Sequence, residues 1–216
     1  MHMKFKLQQH IDLSQLTTMK IGGSTRYFTE LTDPNQLKDV FVWLDQQKLP
    51  HLILSGGSNT VFDDSEYVGL VIKLSFLGKK VVRQKDNGVA LHVAAGEDWD
   101  NLVSYTVNHG WAGLEALSGI PGLCGAAPVQ NIGAYGQEIS NVLSSVGAYD
   151  TNTGTLVELK NSSCKFRYRD SIFKSSQKGR YIITSITLQL STQPPSIPEY
   201  EDVRRYMLEH NISQPT

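Results

Sequence analysis

The chain has 216 residues, 40% hydrophobic and 19% charged, which suits one large or two small buried cores and excludes a disordered protein. Its 20 Lys and Arg nearly balance 21 Asp and Glu, and no basic run stands out, which argues against nucleic acid or an anionic membrane as main partner. The start lacks an apolar leader, apolar runs such as Leu52-Ile53-Leu54 are too short to span a bilayer, and Cys124 and Cys164 lack metal-ligand spacing. A metal-free cytoplasmic protein with two reduced, buried thiols is the expectation.

In chain order, Arg26-Tyr27-Phe28-Thr29-Glu30-Leu31 reads as a strand, being rich in aromatic and β-branched residues. Asp33-Pro34 then opens a helix, with Asp33 as N-cap and Pro34 at the first helical position. Leu37, Val40, Phe41 and Leu44 form its apolar stripe, and Leu49-Pro50 closes it. His51-Leu52-Ile53-Leu54 reads as a buried strand, so the segment is a βαβ unit. Leu70 to Leu74 adds a strand and completes a first subdomain over residues 1–75.

A second subdomain is expected over residues 76–195, richer in strands. Residues 80–83 and 89–95 pair through the turn Lys85-Asp86-Asn87-Gly88. Residues 98–108 read as a helix with Asp98 as N-cap, Leu102, Tyr105 and Thr106 on one side, and His109-Gly110 at its end. Further strands are residues 146–150, 155–159 and the long alternating run 181–190. Residues 191–198, rich in Pro, Ser and Thr, read as a loop, and 201–210 as one short helix. Residues 196–216 are expected to lead toward a further domain of a longer natural chain.

Two glycine-rich stretches follow apolar segments. Ser55-Gly56-Gly57-Ser58-Asn59-Thr60 lacks both the GxGxxG-then-helix pattern and the Lys-Ser/Thr of a P-loop. Its glycines can aim consecutive N–H groups at an anion, with Ser and Asn adding donors; a plain turn between strands is the alternative. The second stretch is Gly119-Ile120-Pro121-Gly122-Leu123-Cys124-Gly125-Ala126-Ala127-Pro128-Val129-Gln130-Asn131-Ile132-Gly133-Ala134-Tyr135-Gly136. Ordering so much small-residue chain has an entropic cost, and close approach to a large planar or polyphosphate ligand would offset it. Gln130 and Asn131 offer amides for a ring edge, and Tyr135 can stack or hydrogen-bond. An irregular surface loop is the alternative, but surface loops are usually more polar.

These stretches, together with Cys164-Lys165-Phe166-Arg167-Tyr168-Arg169-Asp170-Ser171-Ile172-Phe173-Lys174, resemble the UDP-N-acetylenolpyruvoylglucosamine reductase family in order and spacing over nearly the whole chain. The resemblance implies an α+β protein: two subdomains of the vanillyl-alcohol-oxidase (PCMH) type clasping FAD. It implies cofactor contacts from Ser55, Gly56, Gly57, Ser58, Asn59 and Thr60 in the first loop. In the second they fall on Gly119, Ile120, Pro121, Gly122, Gly125, Ala126, Ala127, Gln130, Asn131, Gly133, Ala134, Tyr135 and Gly136. The implied reaction uses NADPH to reduce the flavin, which then reduces UDP-N-acetylglucosamine enolpyruvate to UDP-N-acetylmuramate for peptidoglycan. Arg169 would face the substrate carboxylate and steady the charge that follows hydride addition, a task suited to a permanently charged, forked guanidinium. Without the motif, a salt bridge to Asp170 or another acid would be its simpler role. Tyr200, on a loop after the last long strand, and Tyr168 would contact the substrate. A cytoplasmic monomer is expected.

The chain departs from the family in one respect. The family carries its proton-donating serine in a Gly-Ser-Phe-Phe-Lys-Asn-Pro segment of a third domain, and a catalytic glutamate near its C-terminus. No Gly-Ser-Phe-Phe occurs here. Loss of a positioned acid slows protonation by about 10² to 10⁴, so flavin binding with impaired turnover is expected. Three readings stay open: a piece of a full enzyme, a naturally short flavin-binding homologue, or a different binding module on the flavin fold. His51 and His92 read as structural histidines, and Trp99 and Trp111 as packing.

Overall fold

The structure, a computed structural model, describes residues 5–85, 87–195 and 199–213. Its first sheet comprises β1 (Gln8–Asp12), β2 (Ser24–Leu31), β3 (His51–Leu54) and β4 (Tyr67–Leu74) in the order β1-β2-β4-β3. β2 and β3 both run parallel to β4, which lies between them; β1 pairs antiparallel along the outer edge of β2. Helix α1 (Gln36–Gln47) makes the crossover from β2 to β3. Its stripe Leu37, Val40 and Leu44 is buried against Leu31, Leu70 and Ile72, as a parallel sheet covered by a helix requires.

The helix begins two residues later than Pro34, and Asp33 is not its cap. The Asp33 carboxylate instead accepts the N–H of Asn35 at 2.9 Å, while Gln36 Oε1 accepts those of Thr32 and Asp33, both at 3.1 Å. Asp33 therefore shapes the turn before the helix, a local competition typical of Asp. β1 has no counterpart among the sequence expectations, since Gln8-Gln9-His10-Ile11-Asp12 carries almost no apolar signal.

The second sheet is antiparallel: β5 (Lys79–Lys85), β6 (Gly88–Ala94), β9 (Leu143–Asp150), β10 (Thr155–Lys160) and β11 (Tyr181–Ser191), in the order β10-β9-β11-β6-β5. A two-residue-stranded hairpin, β7 (Gly133–Ala134) and β8 (Gln137–Glu138), stands apart from it. The β5–β6 turn includes Asp86, which lies outside the described residues, as do residues 196–198 of the expected loop. Ser191 is still sheet-bonded, exchanging backbone hydrogen bonds with Ala112.

Helix α2 (Trp99–Asn108) starts where the Asp98 carboxylate accepts the Asn101 N–H at 2.9 Å, satisfying one of the orphan donors of the first turn. It buries Trp99, Leu102, Val103 and Thr106 in a core with Leu91, Val93, Ile186 and Leu188. Gly110, at φ +69°, closes its C-terminal end. A short helix, α3 (Glu201–Glu209), follows. The two cores are not separate: Tyr149 of β9 and Ile182 of β11 are buried in the first core, and the Tyr149 ring lies 5.4 Å from Phe41 of α1.

Candidate functional site

β3 ends at Leu54, and residues 55–60 turn at its C-terminal end, where parallel strands commonly present ligand-binding loops. Gly57 sits at φ +68°, and a Cβ there would fall 2.2 Å from the Leu16 carbonyl oxygen. A Cβ on Gly56 would fall 3.1 Å from Gly122 Cα, so the first glycine loop meets the second backbone to backbone. Ser58 Oγ donates to the Pro121 carbonyl at 3.4 Å across the same junction.

The second loop is fastened to the other sheet. Gly125 N–H donates to Ala95 O and Cys124 N–H to Glu97 O, each at 2.8 Å, and Trp99 N–H reaches Gly122 O at 3.0 Å. Trp99 Nε1 donates to Leu117 O at 3.0 Å, so this buried indole is structural. Burial pushes the Cys164 thiol up to about 11 and raises that of Cys124 further, which leaves neither as a nucleophile.

Between the loops lies a cleft of about 550 Å³, within the roughly 300–1,000 Å³ common for small-molecule and cofactor sites. Its walls are β3, residues 55–60, residues 120–123 and 125–127, and the start of β11, with Trp99, Phe173 and Ile132 adding apolar surface. Among the described residues, no aspartate or glutamate lines it. A second hollow of about 310 Å³, lined by residues 15–18, shares Leu54, Ser55, Gly56 and Leu123 with the cleft. Ser55 Oγ is buried without a hydrogen-bond partner, a polar atom left for a ligand to satisfy.

The expected cofactor residues divide. Ser55, Gly56, Gly57, Ser58, Asn59, Thr60, Ile120, Pro121, Gly122, Gly125, Ala126, Ala127 and Gln130 all line the cleft. Gly119, Asn131, Gly133, Ala134, Tyr135 and Gly136 do not. Gly119 N–H is taken by Asp100 Oδ1 at 2.7 Å. Asn131, expected to read a ring edge, is instead 1% exposed and turned into the fold. Its Nδ2 donates to Glu138 Oε2 at 2.7 Å and Arg167 O at 3.0 Å, and its Oδ1 accepts Ser140 N–H at 3.2 Å. Its whole amide is thereby used to tie the second glycine stretch to the motif that carries Arg169. Gly133 and Ala134 form β7, and Tyr135 and Gly136 make the tip of its hairpin.

Arg167 and Asp170 exchange backbone hydrogen bonds at 3.0 and 3.1 Å, so the motif is a tight hairpin presenting Tyr168 and Arg169. Ser171 Oγ anchors it by donating to Val129 O at 2.6 Å. Arg169 lies in the left-handed region, φ +53°, and is exposed. Its Nη2 donates to Gly133 O at 2.7 Å, two residues from the hairpin tip, rather than pairing with Asp170. Tyr168, 82% exposed, flanks it, with the guanidinium carbon 5.9 Å from its ring centroid. Tyr135 and Tyr200, about half exposed, meet edge to face at 5.4 Å. Arg169 and Tyr135 thus share the β7–β8 hairpin, Tyr200 touches its tip, and none of the three lines the cleft.

Sequence reasoning missed several cleft residues. His51, expected to be a satisfied structural histidine, lines the cleft with an imidazole that has no hydrogen bond among the described residues. It packs edge-on to Phe41 at 5.0 Å, and burial holds its imidazole below the usual range, so it is neutral at pH 7. Lys174, Lys178, Tyr181, Ile182 and Ile183 also line the cleft. The available signal was adjacency: Lys174 ends the quoted motif, and β11 begins soon after it. His92, by contrast, lies 3.4 Å from Thr187 Oγ1 within the second sheet.

The geometry agrees with known proteins. Residues 25–160 match the model of the FAD binding domain family. The chain belongs to that family. Members share the vanillyl-alcohol-oxidase type of α+β FAD-binding fold described above, and FAD is the cofactor it implies. The cleft suits it: paired glycine backbones, an unsatisfied buried hydroxyl and a carboxylate-free lining match a dinucleotide with an anionic diphosphate.

The chain is 40% identical over 201 residues to the UDP-N-acetylenolpyruvoylglucosamine reductase of Amoebophilus asiaticus, covering 93% of this chain and 59% of that one. It is 39% identical to that of Bdellovibrio bacteriovorus over 97% of this chain and 62% of the relative. The chain therefore spans about three fifths of the length of these relatives. Among solved structures, the reductase of Thermus caldophilus superposes with a TM-score of 0.72 at 24% identity, over 96% of this chain and 68% of that one. Among the described residues, no helix is long and apolar enough to cross a membrane, and no cluster of three or more His, Cys, Asp or Glu could hold a metal.

Proposed function

We propose that this FAD-binding chain serves a UDP-N-acetylenolpyruvoylglucosamine reductase, reducing UDP-N-acetylglucosamine enolpyruvate to UDP-N-acetylmuramate with NADPH in peptidoglycan precursor synthesis. The observation that carries the proposal is the pairing of a glycine-walled cleft with an arginine hairpin tied to the same loop through Asn131 and Gly133. On this reading residues 1–75 and 76–195 are two subdomains clasping the cofactor, and the protein works as a cytoplasmic monomer. FAD, when bound, supplies the two-electron chemistry that passes a hydride from NADPH to the enolpyruvyl double bond.

The chain's own residues then have separate tasks. Backbone amides of residues 55–60, with those of Ile120, Gly122 and Leu123, meet the diphosphate, and the Ser55 hydroxyl gains its missing partner there. The Arg169 guanidinium faces the substrate carboxylate, whose negative charge grows as hydride arrives, and so stabilises the transition state more than the ground state. Its bond to Gly133 O fixes one arm of the fork and leaves the other for the carboxylate. Tyr168 and Tyr200 flank the same place and hold the substrate. A proton must complete the lactyl ether. Arg169 does not line the cleft, which favours a second reading, a flavin-binding module with little turnover.

Purified protein is expected to be yellow and to release FAD on denaturation. A colourless protein that takes up no added FAD overturns the proposal. NADPH oxidation followed with and without the enolpyruvyl substrate separates the two readings, substrate-dependent turnover favouring the first. Arg169→Ala is expected to slow substrate-driven reoxidation of reduced flavin about 10²- to 10³-fold, the usual effect of removing one charge-stabilising donor, with FAD retained. Loss of FAD from that variant would mean that the arginine serves the cofactor.

A further inference from the structure

The cleft's formal charge is one-sided. Apart from neutral His51, the only ionisable side chains among the described residues that line it, besides Tyr181, are Lys174 and Lys178. The Lys174 ammonium donates to Arg169 O at 2.9 Å and so supports the arginine hairpin. The Lys178 ammonium has no hydrogen-bond or ion-pair partner among the described residues.

Its backbone is nevertheless firmly held. Lys178 N–H donates to Ser175 O at 3.1 Å and Arg180 N–H to Gln177 O at 3.0 Å, with Gly179 at φ +82° between them. Arg180 is clamped by both oxygens of buried Asp150, at 3.0 and 2.8 Å, and by Gln177 Oε1 at 3.0 Å. A bidentate pair on one flank and linked turns on the other fix where Lys178 starts.

The sheet contacts say which end of the cleft this is. Ile182 pairs in register with Tyr149, whose ring touches Phe41, whose ring in turn touches His51 at the start of β3. Residues 178–182 therefore stand toward the His51 end of β3. Ser55 and Gly56, facing Gly122, stand at the other end, about 13 Å away at roughly 3.3 Å per residue. One end offers backbone amides and the other a lone ammonium.

We propose that Lys178 is a specificity residue for the dinucleotide, reaching the FAD diphosphate from the end of the cleft opposite the glycine cradle and favouring FAD over flavins that lack it. This rests on the reading of the cleft as the FAD site, and no glycine motif specifies it. A lysine acts here as a point charge on a flexible stem, which suits a phosphate approached from outside the glycine cradle.

The test uses protein stripped of flavin and titrated with FAD, with ADP as a competing probe and riboflavin as a phosphate-free control. Lys178 is exposed, so its variants are expected to fold. Lys178→Ala should weaken FAD and ADP alike by about tenfold and flatten the salt dependence of FAD binding, while leaving riboflavin unchanged. Lys178→Arg should restore FAD affinity to within about threefold. Unchanged FAD affinity in Lys178→Ala overturns the inference, as does an equal loss with riboflavin. Retained FAD affinity with slowed reduction by NADPH also overturns it, because the lysine would then serve the reductant. Failure of the unsubstituted protein to take up FAD would instead sink the functional reading and this inference with it.

Discussion

The two glycine-rich loops that face each other across the cleft hold their shapes by opposite means. In residues 55–60 the backbone is crowded: Gly57 has the Leu16 carbonyl where a Cβ would go, and Gly56 has Gly122. Few side chains brace this loop, and the Ser55 hydroxyl has no partner. In the second stretch, Gly119 and Gly136 have left-handed φ values of +74° and +84° but open space around them. That loop is held by side chains: Asn131, Asp100 and Ser171 hydrogen-bond to backbone groups on or beside it. The lesson is that glycine content reports two different demands: steric closeness, at Gly56 and Gly57 and again at Gly125 and Gly133, and backbone conformation alone, at Gly119 and Gly136. The crowded loop keeps its donors for a ligand, while the braced loop uses some of its own internally.

Substitutions can break this contrast. Gly57→Ala should have the largest effect: its Cβ would lie 2.2 Å from Leu16 O at a positive φ. We expect about 3 kcal/mol of destabilisation, roughly a 10 °C fall in Tm, with loss of bound flavin. Calorimetry and flavin content check this together. Asn131→Ala should follow at about 2 kcal/mol, since it leaves Ser140 N–H without its partner and takes from Glu138 Oε2 and Arg167 O one of the two donors each accepts. Thermal unfolding measures that effect, and an unchanged Tm would mean that the brace is dispensable. Gly119→Ala should be the mildest, about 1 kcal/mol from φ alone, with flavin content unaltered. Should it prove as damaging as Gly57→Ala, the distinction between crowded and open glycines fails.

Much of the fold was legible in the sequence because its strands bury one or both faces. The alternation in residues 181–190 and the stripe Leu37, Val40 and Leu44 both appear as elements close to their expected bounds. β1 was not legible, since an edge strand of polar residues carries no burial pattern. Asp33 misled because the same carboxylate chemistry serves an N-cap and a turn. At the site, the motifs found the right loops but not the direction of each side chain. Gln130 and Asn131 are neighbours with identical amides, yet one lines the cleft and the other faces inward; Asn131's left-handed backbone, φ +46°, turns the chain between them. His51 and Lys178 belong to no motif, and only the tertiary arrangement brings them to the cleft.

The burial of Tyr149 and Ile182 in the core of the first sheet has a consequence for biogenesis. As the polypeptide leaves the ribosome, its N-terminal sheet can gather around α1 yet must wait for residue 182 before its interior is complete. Flavin capture is accordingly a late event in the life of the nascent chain, and a shortened product ending before β11 would have neither a finished interior nor a second wall against which to hold the cofactor.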